Sequence, residues 1–148
     1  MSARTESSIR EGVAPFLDPS EKVTAIWIAS VRGHQQAMTG GVAGITGGGR
    51  AARAARDATA AGVTLASPMA FVLTPGKLVT VEIGNAGKVK RLLDVFDLDD
   101  VGTMTVRRLG LGASVALVLH GTAVKLESRV GASRAFADAI TRAKTAPA

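Results

Sequence analysis

Apolar residues recur two positions apart over much of the chain between residues 77 and 128. Val79, Val81 and Ile83, for example, are separated by Thr80 and Glu82. A period of two is typical of a strand with one buried face. With turns rich in Gly, Pro and Asp between them, the pattern predicts seven short strands. Their predicted ranges are 22–31, 70–73, 77–83, 89–96, 101–108, 113–119 and 122–128.

The first predicted strand differs from the others because its centre, residues 25–29, is apolar on both faces. It is expected to be buried on both sides, or to pass beneath an N-terminal helix. That helix is predicted over residues 5–17, whose apolar members share one side, namely Ile9, Val13, Phe16 and Leu17. Ser8 and Glu11 form a candidate capping box, and Pro15 is expected to end or kink the helix near Ala14.

A second helix is predicted over residues 131–143, where apolar and polar side chains separate onto opposite faces. Phe136 and Ile140 are its largest apolar residues, and they are expected to anchor it. A curved sheet has an open end whose apolar interior must be covered. The helix is therefore expected to cover that end.

Seven antiparallel strands followed by one helix resemble the bacterial pleckstrin-homology-like (PH-like) domains, and the resemblance lies in residues 17–23, 71–78, 124–127 and 135–137. It implies an α+β fold, mainly β, with a seven-stranded bent sheet or partly open barrel capped by the C-terminal helix. It also implies a non-enzymatic domain. Eukaryotic relatives often hold phosphoinositides through basic residues after the first strand, whereas the bacterial ones are thought to assemble or scaffold. This chain lacks a K-x-(K/R)-x-R run there.

Residues 1–148 are predicted to form a single domain with a Gly/Ala/Arg-rich insert at about 33–66. Seven glycines among residues 33–49 favour a loop, and residues 50–61 favour a helix that Gly62 ends. Three insert arginines recur every third residue and would form a cationic stripe on that helix: Arg50, Arg53 and Arg56. The stripe is interpreted either as a solvated face or as a contact site for anions and lipids.

The cysteine content, the N-terminal pattern and the net charge add information about compartment and partners. Without cysteine, the chain has no disulfide, no thiolate nucleophile and no Cys-ligated metal, and a reducing cytoplasm is the simplest compartment. The N-terminus does not have the pattern of a signal peptide. A net charge of +6 favours anionic partners, such as the inner face of the membrane, although 3% aromatic content argues against nucleic acid.

The candidate chemistry is sparse, and no catalytic residue, cofactor, metal site or small-molecule substrate is predicted. Four acidic residues near one turn lack a calcium-loop pattern and are interpreted as a solvated turn: Asp94, Asp97, Asp99 and Asp100. His34 and His120 stand apart from any nucleophile motif. Trp27 is interpreted as a core residue. Five further cations are interpreted either as a local basic edge or as solvated strand ends: Lys88, Lys90, Arg91, Arg107 and Arg108.

The function that these observations favour is a non-enzymatic PH-like module for protein association or scaffolding, at an anionic surface in one version of the hypothesis. Its partner would be another protein or a second copy of the chain. Two alternatives remain open. One is peripheral binding to anionic lipid through Arg50, Arg53 and Arg56, and the other is salt-sensitive, non-specific binding to nucleic acid.

Overall fold

A computed structural model describes residues 1–31, 58 and 62–145 of the chain. Its helices within these residues are α1 (Ala3–Val13) and α2 (Val130–Thr145). Its strands are β1 (Ala25–Val31), β2 (Met69–Leu73), β3 (Lys77–Ile83), β4 (Val89–Asp97), β5 (Val101–Leu109), β6 (Gly112–Leu119) and β7 (Thr122–Arg129). Single turns of 3-10 helix span Ala14–Phe16, Asn85–Gly87 and Leu98–Asp100.

The strands form one antiparallel sheet in the order β4-β3-β2-β1-β7-β6-β5. Strand β1 joins its two halves, pairing with β2 over residues 25–29 and with β7 at Ser30 and Val31. Strands β4 and β5 end the order and are not paired with each other, so the sheet is not closed. The predicted α+β class, with seven antiparallel strands and a C-terminal helix, is confirmed.

The main core lies between the sheet and α2. Trp27 of β1 packs against Phe71 of β2 and Phe136 of α2, with ring centroids 4.9 and 5.5 Å away. Ile140 lies one turn beyond Phe136 and is also buried. Both predicted helix anchors are therefore confirmed, and Trp27 is a core residue, as its type and setting predict.

A second apolar cluster lies on the opposite face of the sheet, beneath α1. Ile9 and Val13 of α1 pack with buried side chains of β2 and β3, including Val72 and Val81. Half-buried Ile26 and Ile28 of β1 join this cluster. Burial on both faces explains why β1 and β2 have apolar side chains in consecutive positions rather than in alternation.

The N-terminal helix begins earlier than predicted. Its cap is Ser2, whose hydroxyl accepts a hydrogen bond from the Thr5 backbone N–H at 3.1 Å. The expected Ser8–Glu11 capping box is wrong, because Ser8 lies inside the helix. The predicted effect of Pro15 is confirmed, since the α-helix ends at Val13 and one 3-10 turn follows.

Part of the predicted insert contributes to the core. Ala58 is helical, and both Ala58 and Val63 are buried in the main apolar cluster. Gly62 has a φ of 83°, and the Val63 N–H donates to the Ala58 carbonyl at 2.8 Å. This is the bond that ends a helix in a Schellman motif, so Gly62 is the predicted helix stop. The remainder of 32–61 lies outside the described residues.

Close packing of α1 on the start of β4 depends on Gly12. A Cβ built at Gly12 would lie 2.7 Å from the Val89 Cβ, and closer still to a Val89 methyl group. Alanine normally stabilises a helix interior by about 1 kcal/mol relative to glycine. We expect Gly12→Ala to destabilise the fold instead, by about 1–3 kcal/mol, because a branched side chain cannot rotate its own Cβ away.

Urea unfolding measures this effect, and Gly131→Ala is the matched control. Gly131 also lies in a helix, but apart from its chain neighbours and the backbone of its own helix, no heavy atom lies within 4 Å of its built Cβ. The control should leave stability unchanged or raise it. Equal effects of the two substitutions would contradict the packing role of Gly12.

The segment between α1 and β1 is fixed to the β2–β3 turn by a partly buried ion pair. Lys77 Nζ lies 2.9 Å from Glu21 Oε1, which also accepts a hydrogen bond from the Asp18 N–H. Lys77 N–H in turn donates to Thr74 Oγ1 at 3.1 Å. The hairpin is as predicted, but the predicted type II turn is wrong, because Gly76 lacks the positive φ that such a turn requires.

This ion pair predicts a dependence of stability on pH. The hydrogen bond from Lys77 lowers the pKa of Glu21, and the same bond raises the pKa of Lys77. The contribution of the ion pair to the free energy of unfolding is therefore lost as pH falls through the lowered Glu21 pKa, and as pH rises through the raised Lys77 pKa. We expect Glu21→Gln to destabilise the protein at neutral pH and to converge with the unmodified protein in acid. Unfolding curves across pH test this, and Glu21→Gln in a Lys77→Gln background should lack the difference.

Candidate interaction surface

The structure separates the predicted site residues into those it describes and those it does not. Arg50, Arg53, Arg56 and His34 lie outside the described residues. The anion-contacting stripe on the insert therefore stays a prediction. The acidic residues, His120 and the strand-end cations can be placed.

The acidic residues have separate environments. Asp94 Oδ2 accepts a hydrogen bond from the Thr64 N–H at 2.7 Å, which holds the segment before β2 against β4. Asp97, Asp99 and Asp100 are exposed around the β4–β5 turn. Among the described residues, no group of three or more His, Asp or Glu side chains could hold a metal ion.

His120 lies in the β6–β7 hairpin turn, as predicted. Its φ is 50° and that of Gly121 is 77°, so both central residues of this two-residue turn have positive φ. Its ring packs on Phe96 with centroids 4.9 Å apart, and Nδ1 lies 3.9 Å from Asp100 Oδ2. These contacts join the β6–β7 turn to β4 and to the β4–β5 turn.

The most unusual surface feature is the tip of the β5–β6 hairpin. Leu109 pairs with Gly112, which leaves Gly110 and Leu111 as the turn residues. Gly110 has a φ of 58°, a backbone conformation that glycine adopts readily and that residues with a side chain rarely adopt. The fixed turn holds Leu111 at the apex with 99% of its surface exposed, and Leu109 beside it with 57% exposed.

Three arginines flank these leucines. Arg107 and Arg108 precede the turn on β5, and Arg129 lies opposite Gly112 at the end of β7. Arg108 Nε donates to the Gly110 carbonyl at 3.4 Å, so its guanidinium lies against the turn itself. We refer to Arg107, Arg108, Leu109, Leu111 and Arg129 as the basic–apolar tip.

A groove of about 480 Å³ lies behind the tip, where β1 and β7 diverge. Its lining includes Leu111, Glu127, Arg129, Ala132 and Met1, and Met1 is 54% exposed. Ser128 Oγ crosses the gap by donating to the Ile28 carbonyl at 2.6 Å. The groove therefore extends from the tip along β1, where half-buried Ile26 and Ile28 line it.

Helix α2 spans the distance between this tip and the opposite end of the molecule. Ala132, in its first turn, lines the groove with Leu111, whereas Lys144, in its last turn, donates to the Val101 carbonyl. A cleft of about 360 Å³ at that far end is lined by Gly76, Asp97, Asp99 and Lys144 among others. Sixteen helical residues separate the two ends by roughly 24 Å.

The five strand-end cations are all exposed and divide between the two ends of the strand order, with Lys88, Lys90 and Arg91 at β4 and Arg107 and Arg108 at β5. The local basic edge stays a prediction. Arg91 lies on β4, and its Nε is 2.7 Å from Glu82 Oε1. Arg107 and Arg108 lie on β5, at the other end of the strand order. Sequence reasoning identified these arginines but treated Leu109 and Leu111 only as part of a turn. The available signal was two leucines in a Gly-rich turn directly after two arginines.

No family model matches the chain, and no curated protein matches it either. The helices among the described residues are too short or too polar to cross a membrane.

Proposed function

We propose that this chain is a non-enzymatic, PH-like association module that docks reversibly on an anionic partner through the basic–apolar tip. One observation supports this most directly. Leu111 is 99% exposed at the apex of a hairpin whose base is flanked by arginines. The proposal keeps the binding class that the sequence favours and assigns the contact to β5 and β6.

The energetic reason concerns the two leucines. Leaving such a side chain in water forgoes roughly 1.5–3 kcal/mol relative to full burial. Most large apolar side chains among the described residues are buried, so these two stand out. Exposed apolar groups rimmed by charge are typical of interaction sites.

The positive charges of the basic–apolar tip indicate which kind of partner it would bind. Arg107, Arg108 and Arg129 repel the same surface on a second copy of the chain, and they attract an anionic surface. Self-association through this surface would therefore strengthen as salt increases, whereas docking on an anionic partner would weaken.

The non-enzymatic part of the proposal rests on the described histidine. The ring of His120 packs on Phe96, and its Nδ1 faces Asp100 across a turn. Contacts of this kind hold the β4–β5 and β6–β7 connections together. They give the imidazole a structural role, which is how we interpret it.

Because the chain lacks cysteine, one introduced cysteine can carry a single fluorescent label. Leu111→Cys places the label at the tip, and Gly76→Cys places it at the far end, where a built Cβ meets nothing within 4 Å. Each labelled protein is titrated with polyglutamate and with phosphatidylglycerol vesicles. We expect the label at 111 to respond to at least one of these anions and the label at 76 to respond to neither. The proposed function would be overturned if the label at 111 responded to neither polyglutamate nor the vesicles, or if the labels at 111 and 76 responded equally.

A further inference from the structure

We propose that the anionic partner is a phospholipid bilayer, into which Leu109 and Leu111 insert while Arg107, Arg108 and Arg129 contact lipid phosphates. This inference rests on the function proposed above and names the partner of the same surface.

The shape of the tip favours a bilayer over a folded protein. Leu111 occupies a hairpin apex and is almost fully exposed, so it protrudes from the surface. A protein partner would need a pocket complementary to this protrusion. The interfacial region of a bilayer accepts a protruding apolar group without a preformed pocket, to a depth of roughly 5–10 Å.

The arginines are arranged for a planar layer of phosphates. Successive residues of a strand point to opposite faces, so Arg107 and Arg108 lie on the two faces of the hairpin. Arg129, at the end of β7, adds a cation on the next strand of the sheet. Cations on both faces suit a lipid layer that surrounds an inserted apex, whereas a one-sided groove would be contacted from a single face.

The spacing along β5 agrees with this arrangement. Arg108 precedes Leu111 by three residues, and a strand rises roughly 3.3 Å per residue. The arginine backbone therefore lies within about 10 Å of the apex, and its long side chain can reach the phosphates while the leucines are inserted.

The rest of the molecule would extend away from the lipid. The far end of α2 lies beside Asp97 and Asp99 together with Arg142 and Lys144, and therefore mixes both charges. The helix dipole adds positive potential where α2 begins, which is the end that shares a groove with Leu111. Glu127 also lines that groove, but the three tip arginines outnumber it, so long-range attraction to an anionic surface would favour an orientation with the tip toward that surface.

The experiment measures partitioning onto vesicles by sedimentation, with phosphatidylcholine alone or mixed with phosphatidylglycerol. The test variant is Leu109→Ser with Leu111→Ser. Leu92→Ser, on the outermost strand β4, is the matched control because that leucine is 37% exposed. A third variant replaces Arg50, Arg53 and Arg56 with Ala. Unfolding curves establish that each variant is folded.

We expect the unmodified protein to bind the anionic vesicles and to bind phosphatidylcholine weakly. The leucine double variant should lose about tenfold or more of this partitioning, and Leu92→Ser should lose little. Raising NaCl from about 0.1 M to about 1 M should also weaken it, because the Debye length falls from about 10 Å to about 3 Å.

Undiminished binding by the leucine double variant overturns the inference, whatever the insert variant does. A label at position 111 that responds to polyglutamate but not to vesicles also overturns it. In that case the proposed function stands, with an acidic protein as the partner class. A blue-shifted emission at 111 on anionic vesicles supports the bilayer, because the label then enters an apolar environment.

Discussion

Replacing Phe136 by alanine is expected to lower the free energy of unfolding by about 3–5 kcal/mol. Its ring is buried between Trp27 and Phe71, with centroids 5.5 and 6.4 Å away, and it joins α2 to the sheet. Truncation removes both ring contacts and leaves a cavity that the surrounding strands can only partly fill. Urea unfolding followed by the fluorescence of Trp27, the single tryptophan, measures the change.

The matched control for this prediction is Phe16→Ala. Phe16 is 37% exposed in the 3-10 turn after α1, so the same truncation there removes less buried surface. Its cost should be markedly smaller than that of Phe136→Ala. Comparable losses at the two positions would mean that α2 is not anchored through Phe136.

The strands were predictable because local and long-range preferences agree. In β6, Val115, Leu117 and Leu119 are buried and alternate with half-buried positions, so the period of two could be recognised without coordinates. In β3 the apolar residues Val79, Val81 and Ile83 also alternate in the sequence, although Leu78 and Thr80 are buried as well. The Gly-containing turns marked the ends of both strands to within a residue. The C-terminal helix was equally clear, since Phe136 and Ile140 lie on one face.

The predictions of the helix cap and the turn type were wrong because the sequence allows two local structures at each place. Both Ser2 and Ser8 can cap a helix containing Ile9 and Val13, and either choice leaves the same apolar face toward the sheet. The structure shows Ser2 as the cap. At the β2–β3 turn, the Pro-Gly pair suggested a type II geometry, but the Thr74 hydroxyl accepts the Lys77 N–H and the turn closes without a positive φ at Gly76.

The candidate surface was harder to predict because it departs from the rule that predicted the strands. Sequence patterns assign leucines to the interior, whereas the Gly-rich pattern around Leu109 and Leu111 assigned both to a turn between two predicted strands. Only the structure shows that Leu109 is the last paired residue of β5, that Leu111 lies at the apex, and that both are exposed. The resemblance to PH-like domains implied contacts in the loop after β1, most of which lies outside the described residues.

Removing one hydroxyl group in the core should also have a large effect. The Trp27 Nε1–H donates to Ser133 Oγ at 3.2 Å, and the Ser133 hydroxyl donates to the Arg129 carbonyl at 2.5 Å. Ser133 is buried at the start of α2, so Ser133→Ala leaves the indole N–H without this acceptor in an apolar environment. We expect a loss of about 1–3 kcal/mol in the free energy of unfolding, measured by far-ultraviolet circular dichroism in urea.

A double-mutant cycle separates this hydrogen bond from the helix propensity of alanine. In a Trp27→Phe background there is no indole N–H, so Ser133→Ala should cost less than it does in the unmodified protein. Ser7→Ala, at an exposed position of α1, reports the effect of the substitution on helix stability alone. An equal cost of Ser133→Ala in both backgrounds would show that the serine acts through its own helix and not through Trp27. A smaller cost in the Trp27→Phe background would identify the indole bond as a second attachment of α2 to β1, beside the aromatic contacts.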